Sequence, residues 1–142
     1  MEQYMQIALM EAQKAYKKGE IPVGAVIVKN GKIIAKAHNL KESKKLSTAH
    51  AEILVINRAC KKLKNWRLKG CELYVTLEPC MMCSGAIIQS RISTVIYGTE
   101  SNDVSSLSKL EENNIKIVEN ICKEKCQSLM QNFFIEKRNQ NL

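Results

Sequence analysis

Three short segments carry residues that can do chemistry: Thr48-Ala49-His50-Ala51-Glu52, then Glu78-Pro79-Cys80, then Cys83. Cys80 and Cys83 are three apart, so on a helix they share one face. In the first turn of a helix the dipole favours thiolate over thiol. Thiolate and imidazole are zinc ligands, and His50, also expected in the first turn of a helix, can supply a third. Structural zinc sites take four protein ligands, whereas catalytic ones take three and keep a position for water. Zinc lowers the pKa of water in that position to about 7. Glu52, two residues past His50, cannot share its direction on a helix. It is placed to approach that water as a proton carrier.

Each element alone is weak. A lone C-x-x-C at a helix start is often a redox pair or half of a structural site. A lone H-x-E says little in a chain of 142 residues. Together, His-Ala-Glu at one helix start and Pro-Cys-x-x-Cys at the next make a specific signal for a catalytic zinc site. A fourth ligand from His38, Cys60, Cys71, Cys122 or Cys126 would make the site structural instead. Cys60, Cys122 and Cys126 fall on apolar helix stripes and Cys71 starts a strand, so packing accounts for them better. His38 reads as a strand-end surface residue.

The surrounding pattern supplies the elements that hold these residues. Met5, Ala8, Leu9, Ala12 and Ala15/Tyr16 follow helical spacing over about 2–18, and Gly19 ends that helix. Pro22 to Lys29 reads as a strand, Asn30-Gly31 as a hairpin turn, and Lys32 to His38 as the returning strand. A polar loop runs from Asn39 to Ser47. Thr48 is expected to cap a second helix reaching about Lys64. Cys71 to Leu77 forms a third strand, and Pro79 opens a helix to about Ser90. Thr94 to Tyr97 is a strand, Asp103 to Glu112 a weak helix, and Ile115 to Val118 a fifth strand. Cys122, Cys126, Leu129/Met130 and Phe133 mark the stripe of a last helix ending near Arg138. A hairpin followed by alternating strands and helices implies an α/β fold. The expected form is a three-layer α-β-α sandwich around a five-stranded mixed sheet, its parallel part covered on both faces.

The chain has 22 Lys+Arg against 14 Asp+Glu, a formal charge of +8, with 45% hydrophobic and 25% charged residues. That composition excludes disorder, a collagen-like fibre and a coiled coil as readings of the whole chain, and the length suits one domain over 1–142. From Lys41 to Lys69 there are nine basic and two acidic residues, so +7 of the charge lies there. A local positive field suggests a polyanionic partner, although a solvated lysine face accounts for many such runs. Residues Met1 to Lys18 carry no signal-peptide pattern, and no apolar run approaches a membrane span. The expectation is a cytoplasmic protein with no membrane partner, whose six cysteines stay reduced.

At these motifs the chain resembles the zinc-dependent nucleobase deaminases of the cytidine deaminase superfamily, whose signature is H-x-E…P-C-x-x-C. Within that superfamily it is most similar to the tRNA adenosine deaminases of bacteria. Four stretches carry the similarity: Ile21-Pro22-Val23-Gly24-Ala25-Val26, Thr48 to Ile53, Leu73 to Cys80, and Met82-Cys83-Ser84-Gly85-Ala86. It runs from about residue 2 to 98 and resumes weakly at Phe133-Phe134 and Arg138. The resemblance implies a cytidine deaminase-like fold and a homodimer with one Zn2+ per subunit held by His50, Cys80 and Cys83. It implies deamination of adenosine to inosine at the wobble position of a tRNA anticodon stem-loop, with Glu52 moving protons. It also implies that Asn39 contacts the target nucleotide, with Val23, Leu77 and Ala51 around the base. Lys41, Lys44, Lys45, Ser101, Phe134 and Arg138 are candidate RNA contacts.

Two places depart from the family pattern. The segment Gly98 to Ser106 has Ser101 where the family has aspartate, and Leu46-Ser47 stands where Asp-Pro usually precedes Thr48. The same zinc core would also serve a small-molecule deaminase of the guanine or cytosine type. A zinc-stabilised nucleic-acid-binding module without catalysis is the third reading.

Overall fold

The computed structural model describes residues 1–140. The element order is α1 (Glu2–Lys17), β1 (Gly24–Lys29), β2 (Lys32–His38), α2 (Lys41–Lys44), α3 (Ala51–Leu63) and β3 (Cys71–Leu77), then α4 (Met81–Gln89), β4 (Thr94–Thr99), α5 (Leu107–Glu112), β5 (Lys116–Val118) and α6 (Lys123–Gln140). The strands form one sheet in the order β2-β1-β3-β4-β5. Strand β1 is antiparallel to both β2 and β3, while β3, β4 and β5 run parallel. The expected three-layer sandwich with a five-stranded mixed sheet is the architecture found.

Strand side chains alternate between faces, and here the alternation builds two cores. Ala25, Ile27, Leu73, Val75, Val95 and Tyr97 face one way and pack with Val55, Ile56 and Ala59 of α3, Ile87 of α4 and Leu110 of α5. Val26, Val28, Tyr74 and Ile96 face the other way and pack with Met5, Ala8 and Leu9 of α1 and Cys126 of α6. The hairpin turn places Asn30 at φ 50° and Gly31 at φ 75°, the paired positive values that an Asn-Gly turn supplies. Gly24 lets β1 press against α1: a Cβ there would lie 1.9 Å from the Ala8 carbonyl oxygen.

Several boundaries differ from the sequence expectation, most of them around the site. Thr48 does not cap α3; the N-cap is His50, because residues 46–50 are held in turns by Ala49 N–H to Leu46 O and His50 N–H to Thr48 O. His50 and Cys80 therefore stand at the N-cap, one step before the first turn. Pro79 likewise stands outside α4, whose N-cap is Cys80. The polar loop contains the one-turn helix α2. Strand β4 runs on to Thr99, and α5 starts at Leu107 rather than near Asp103. Cys122 precedes α6 in a left-handed conformation, φ 57°, instead of lying on its stripe.

His38 is a further correction. It is buried rather than at the surface, with Nδ1 3.0 Å from Glu11 Oε1 and Nε2 3.0 Å from Lys18 Nζ. Partners on α1 and just past its end satisfy both ring nitrogens, which is why a polar residue can close β2 inside the protein.

Candidate active site

Strand β3 ends at Leu77, and the chain turns through Glu78 and Pro79 into α4; the start of α3 lies beside that turn. His50 (φ −72°, ψ 152°) and Cys80 (φ −73°, ψ 175°) are the N-cap residues of α3 and α4. Side-chain oxygens normally stabilise this position by accepting a helix N–H, yet neither residue caps its own helix. Their side chains turn toward each other. His50 Nδ1 lies 3.7 Å from Cys80 Sγ and 3.5 Å from Cys83 Sγ.

The three donor atoms all lie within 4.8 Å of one another. Tetrahedral zinc, with its usual bond lengths, sets nitrogen and sulfur ligands about 3.5 Å apart and two sulfurs about 3.8 Å apart. The donor set and its spacing fit that ion. Among the described residues the group has three members, so His38, Cys60, Cys71, Cys122 and Cys126 stand outside it.

The electrostatics suit a cation. Hydrogen bonds from Cys83 and then His50 hold the Cys80 thiol down at about 3. The neighbouring Cys83 thiol is pushed up by its hydrogen bond with Cys80 and by burial. Two adjacent thiols resist ionising together unless a positive charge neutralises the pair. Glu52, in the first turn of α3, is 4% exposed, and burial raises its carboxyl from 4.5 to about 7. A carboxyl poised near neutral pH can both take and release a proton.

A profile of the MafB19-like deaminases matches residues 1–138. A tRNA-specific adenosine deaminase of Bacillus subtilis (strain 168) is 48% identical over 145 aligned positions, spanning 96% of this chain and 90% of that protein. This chain belongs to the tRNA-specific adenosine deaminase family. A solved structure from work on A-to-I editing by tRNA:A34 deaminases matches with TM-score 0.84 at 35% identity, covering 89% of this deaminase and 98% of that chain. A guanine deaminase from Bacillus subtilis matches with TM-score 0.67 at 38% identity, covering 81% and 70%. Deaminases of this kind are generally zinc-dependent, and the His50-Cys80-Cys83 group is able to bind a metal.

The remaining candidate residues fall into distinct places. Ala51 is fully buried at the start of α3, and Val23 is buried just before β1. Asn39 is buried too, with Nδ2 donating to Ile21 O and Oδ1 accepting from Lys41 N–H, so its amide links two segments beside the site. Leu77, Ser101 and Phe134 line one cavity of about 360 Å³, along with Ile21 and Met130. Arg138 is not in it; it borders a separate hollow that shares only Phe134 and Gln131 with the first. Lys41, Lys44 and Lys45 are exposed around α2.

The structure divides the basic stretch. Lys41, Lys44 and Lys45 precede the site, whereas Lys61, Lys62 and Lys64 sit at the far end of α3. Thirteen residues of helix put that end about 20 Å away. Arg67 and Lys69 follow, just before β3, at the opposite end of the sheet from Leu77.

Besides Glu11, the partner of His38, two more buried acids carry no role in the sequence reading. Glu78 accepts the Ser101 N–H, fixing the segment that follows β4. Its place directly before Pro79-Cys80 was the available signal. Glu20 bonds to residues 22 and 23 positions away, and no local pattern reveals such a pairing.

Proposed function

We propose that this deaminase converts adenosine to inosine at the wobble position of a tRNA anticodon stem-loop, by hydrolysis that releases ammonia. The observation that carries the reading is the three-donor group of His50, Cys80 and Cys83 with buried Glu52 two residues from His50. Membership of the tRNA-specific adenosine deaminases supports the substrate. In this reading His50, Cys80 and Cys83 hold one Zn2+ per subunit. When bound there, such an ion would supply the Lewis acidity that makes water nucleophilic enough at neutral pH to add to C6 of the flipped adenine. Glu52 takes one proton from the attacking water and delivers it to N1, then moves the other, from the new C6 hydroxyl, to the amino group, which leaves as ammonia.

Val23, Ala51 and Leu77 form the walls around the base, and Asn39 contacts the target nucleotide. Lys41, Lys44 and Lys45 meet the phosphate backbone, while Ser101, Phe134 and Arg138 contact RNA on the α6 side. The cavity bounded by Leu77, Ser101 and Phe134 supports the first two of these. The whole chain, 1–142, acts as one domain in the cytoplasm, where its cysteines remain thiols. No described helix is long and apolar enough to cross a membrane. In this reading two copies form a homodimer.

The deciding experiment incubates the purified protein with tRNA and measures inosine by mass spectrometry alongside a zinc count. Inosine at the wobble position with one zinc per chain is expected. Activity on free guanine or cytosine with none on tRNA would overturn the reading.

A further inference from the structure

Glu20 stands between Gly19, which ends α1, and the run into β1, and its side chain is fully buried. Oε1 accepts from Glu42 N–H at 2.9 Å, and Oε2 accepts from Ser43 N–H at 2.6 Å and Ser43 Oγ–H at 2.5 Å. These amides belong to the first turn of α2, whose own N-cap residue, Leu40, provides no side-chain bond. The preceding amide, Lys41 N–H, is taken by Asn39 Oδ1 at 3.1 Å. All three leading N–H groups of α2 are thus held by side chains.

A second set of bonds joins the same two segments. Asn39 Nδ2 donates to Ile21 O at 3.2 Å, and Asn39 N–H donates to Val23 O at 3.0 Å. Leu40 N–H donates to Ala49 O at 3.0 Å, next to His50. The N-terminal side of α2 is therefore fastened both to the entry of β1 and to Ala49, the residue before His50. Burial works to raise the Glu20 carboxyl, but the bonds from Ser43 and the Glu42 amide prevail and hold it below its ordinary value. It therefore stays a carboxylate, and charge-assisted bonds of this kind are the strong ones.

We propose that Glu20 is a positioning residue for the RNA substrate: by gripping the first turn of α2 it fixes the shape in which Lys41, Lys44 and Lys45 meet phosphate beside His50. The inference rests on the RNA reading above. Lysine side chains lose entropy when they are ordered on a partner, so a preformed backbone lowers what binding must add. The Glu20 side chain bonds to Glu42 and Ser43 and not to His50, Glu52, Cys80 or Cys83, so its loss acts on binding and leaves the chemical step alone.

The test uses zinc-loaded Glu20→Gln, which keeps the shape but offers one acceptor oxygen in place of two. Expected are a KM for tRNA raised about tenfold, a kcat within about twofold of the parent, and a shallower fall of affinity with salt. Hydrogen exchange at the Glu42 and Ser43 amides is expected to quicken. Ser43→Ala, which removes only the hydroxyl bond, should move KM and exchange the same way by a smaller factor and guards against a variant that fails to fold. Unchanged KM in a folded variant, or a fall in kcat equal to the loss in kcat/KM, overturns the inference. Parent protein that makes no inosine overturns the RNA reading itself, whereas unchanged exchange at the two amides overturns the positioning role of Glu20 regardless of activity.

Discussion

His50 and Cys80 are the N-cap residues of two different helices, and their side chains meet, Nδ1 to Sγ, at 3.7 Å. Each helix gives up the side-chain oxygen that would stabilise its first turn by about 1 kcal/mol. In return, two positive helix ends converge on the Cys80 thiolate, and Cys83, in the first turn of α4, completes the group.

A metal held by these residues ties α3 to α4 and adds stability by mass action, about 4 kcal/mol at a thousandfold excess over its Kd. Cys83→Ala is expected to lose the metal and most of that increment. Thermal unfolding with and without chelator measures it; a chelator-insensitive midpoint in the parent protein would contradict the assignment.

Glu52→Gln is expected to retain the metal and lose turnover by at least about a thousandfold, the upper range for removing a proton carrier. Zinc analysis and single-turnover inosine formation check both halves. Loss of metal together with activity would mean that Glu52 supports the ligands instead.

The same carboxyl makes stability pH-dependent in metal-stripped protein. Its folded pKa, about 7, lies above the ordinary 4.5, so its favourable contribution is full below pH 4.5 and is lost as pH rises through about 7. That difference corresponds to about 3 kcal/mol. Metal-free Glu52→Gln is expected to be the more stable protein at pH 8, with the advantage gone at pH 4. Chemical denaturation at the two pH values decides it.

Replacing Lys41, Lys44 and Lys45 together by glutamine is expected to raise KM for tRNA by about tenfold or more, with zinc content unchanged. The slope of log affinity against log salt should fall by about 0.7–0.9 for each phosphate that the variant no longer neutralises. Equivalent changes at Lys61, Lys62 and Lys64, about 20 Å along α3, should do far less. An equal response would return the charge to a general solubility role.

Gly24→Ala is expected to destabilise the fold by about 2–3 kcal/mol or more, because its Cβ would lie 1.9 Å from the Ala8 carbonyl oxygen, a backbone atom that cannot step aside. Urea unfolding gives the value. The activity of whatever remains folded should match the parent.

The three-layer plan and the types of the donors that meet at His50, Cys80 and Cys83 are both legible along the chain, because both are written locally. Strand alternation sets which residues enter each core, Asn30-Gly31 sets the hairpin, and His-x-Glu with Pro-Cys-x-x-Cys sets the donor types. The starts of the two site helices are not legible in the same way. Thr48 and Pro79 fit the usual starting pattern, while the true N-cap residues, His50 and Cys80, are poor cappers chosen for other contacts. The basic stretch also looks continuous in sequence, and the fold is what carries the Lys61, Lys62 and Lys64 part of it away from the site along α3. Pairings across long separations belong to the tertiary structure: His38 with Glu11, Glu78 with Ser101, and Glu20 with the first turn of α2. A buried carboxylate needs donors, and when those donors are backbone amides 22 and 23 residues away, no side-chain pattern along the chain announces them.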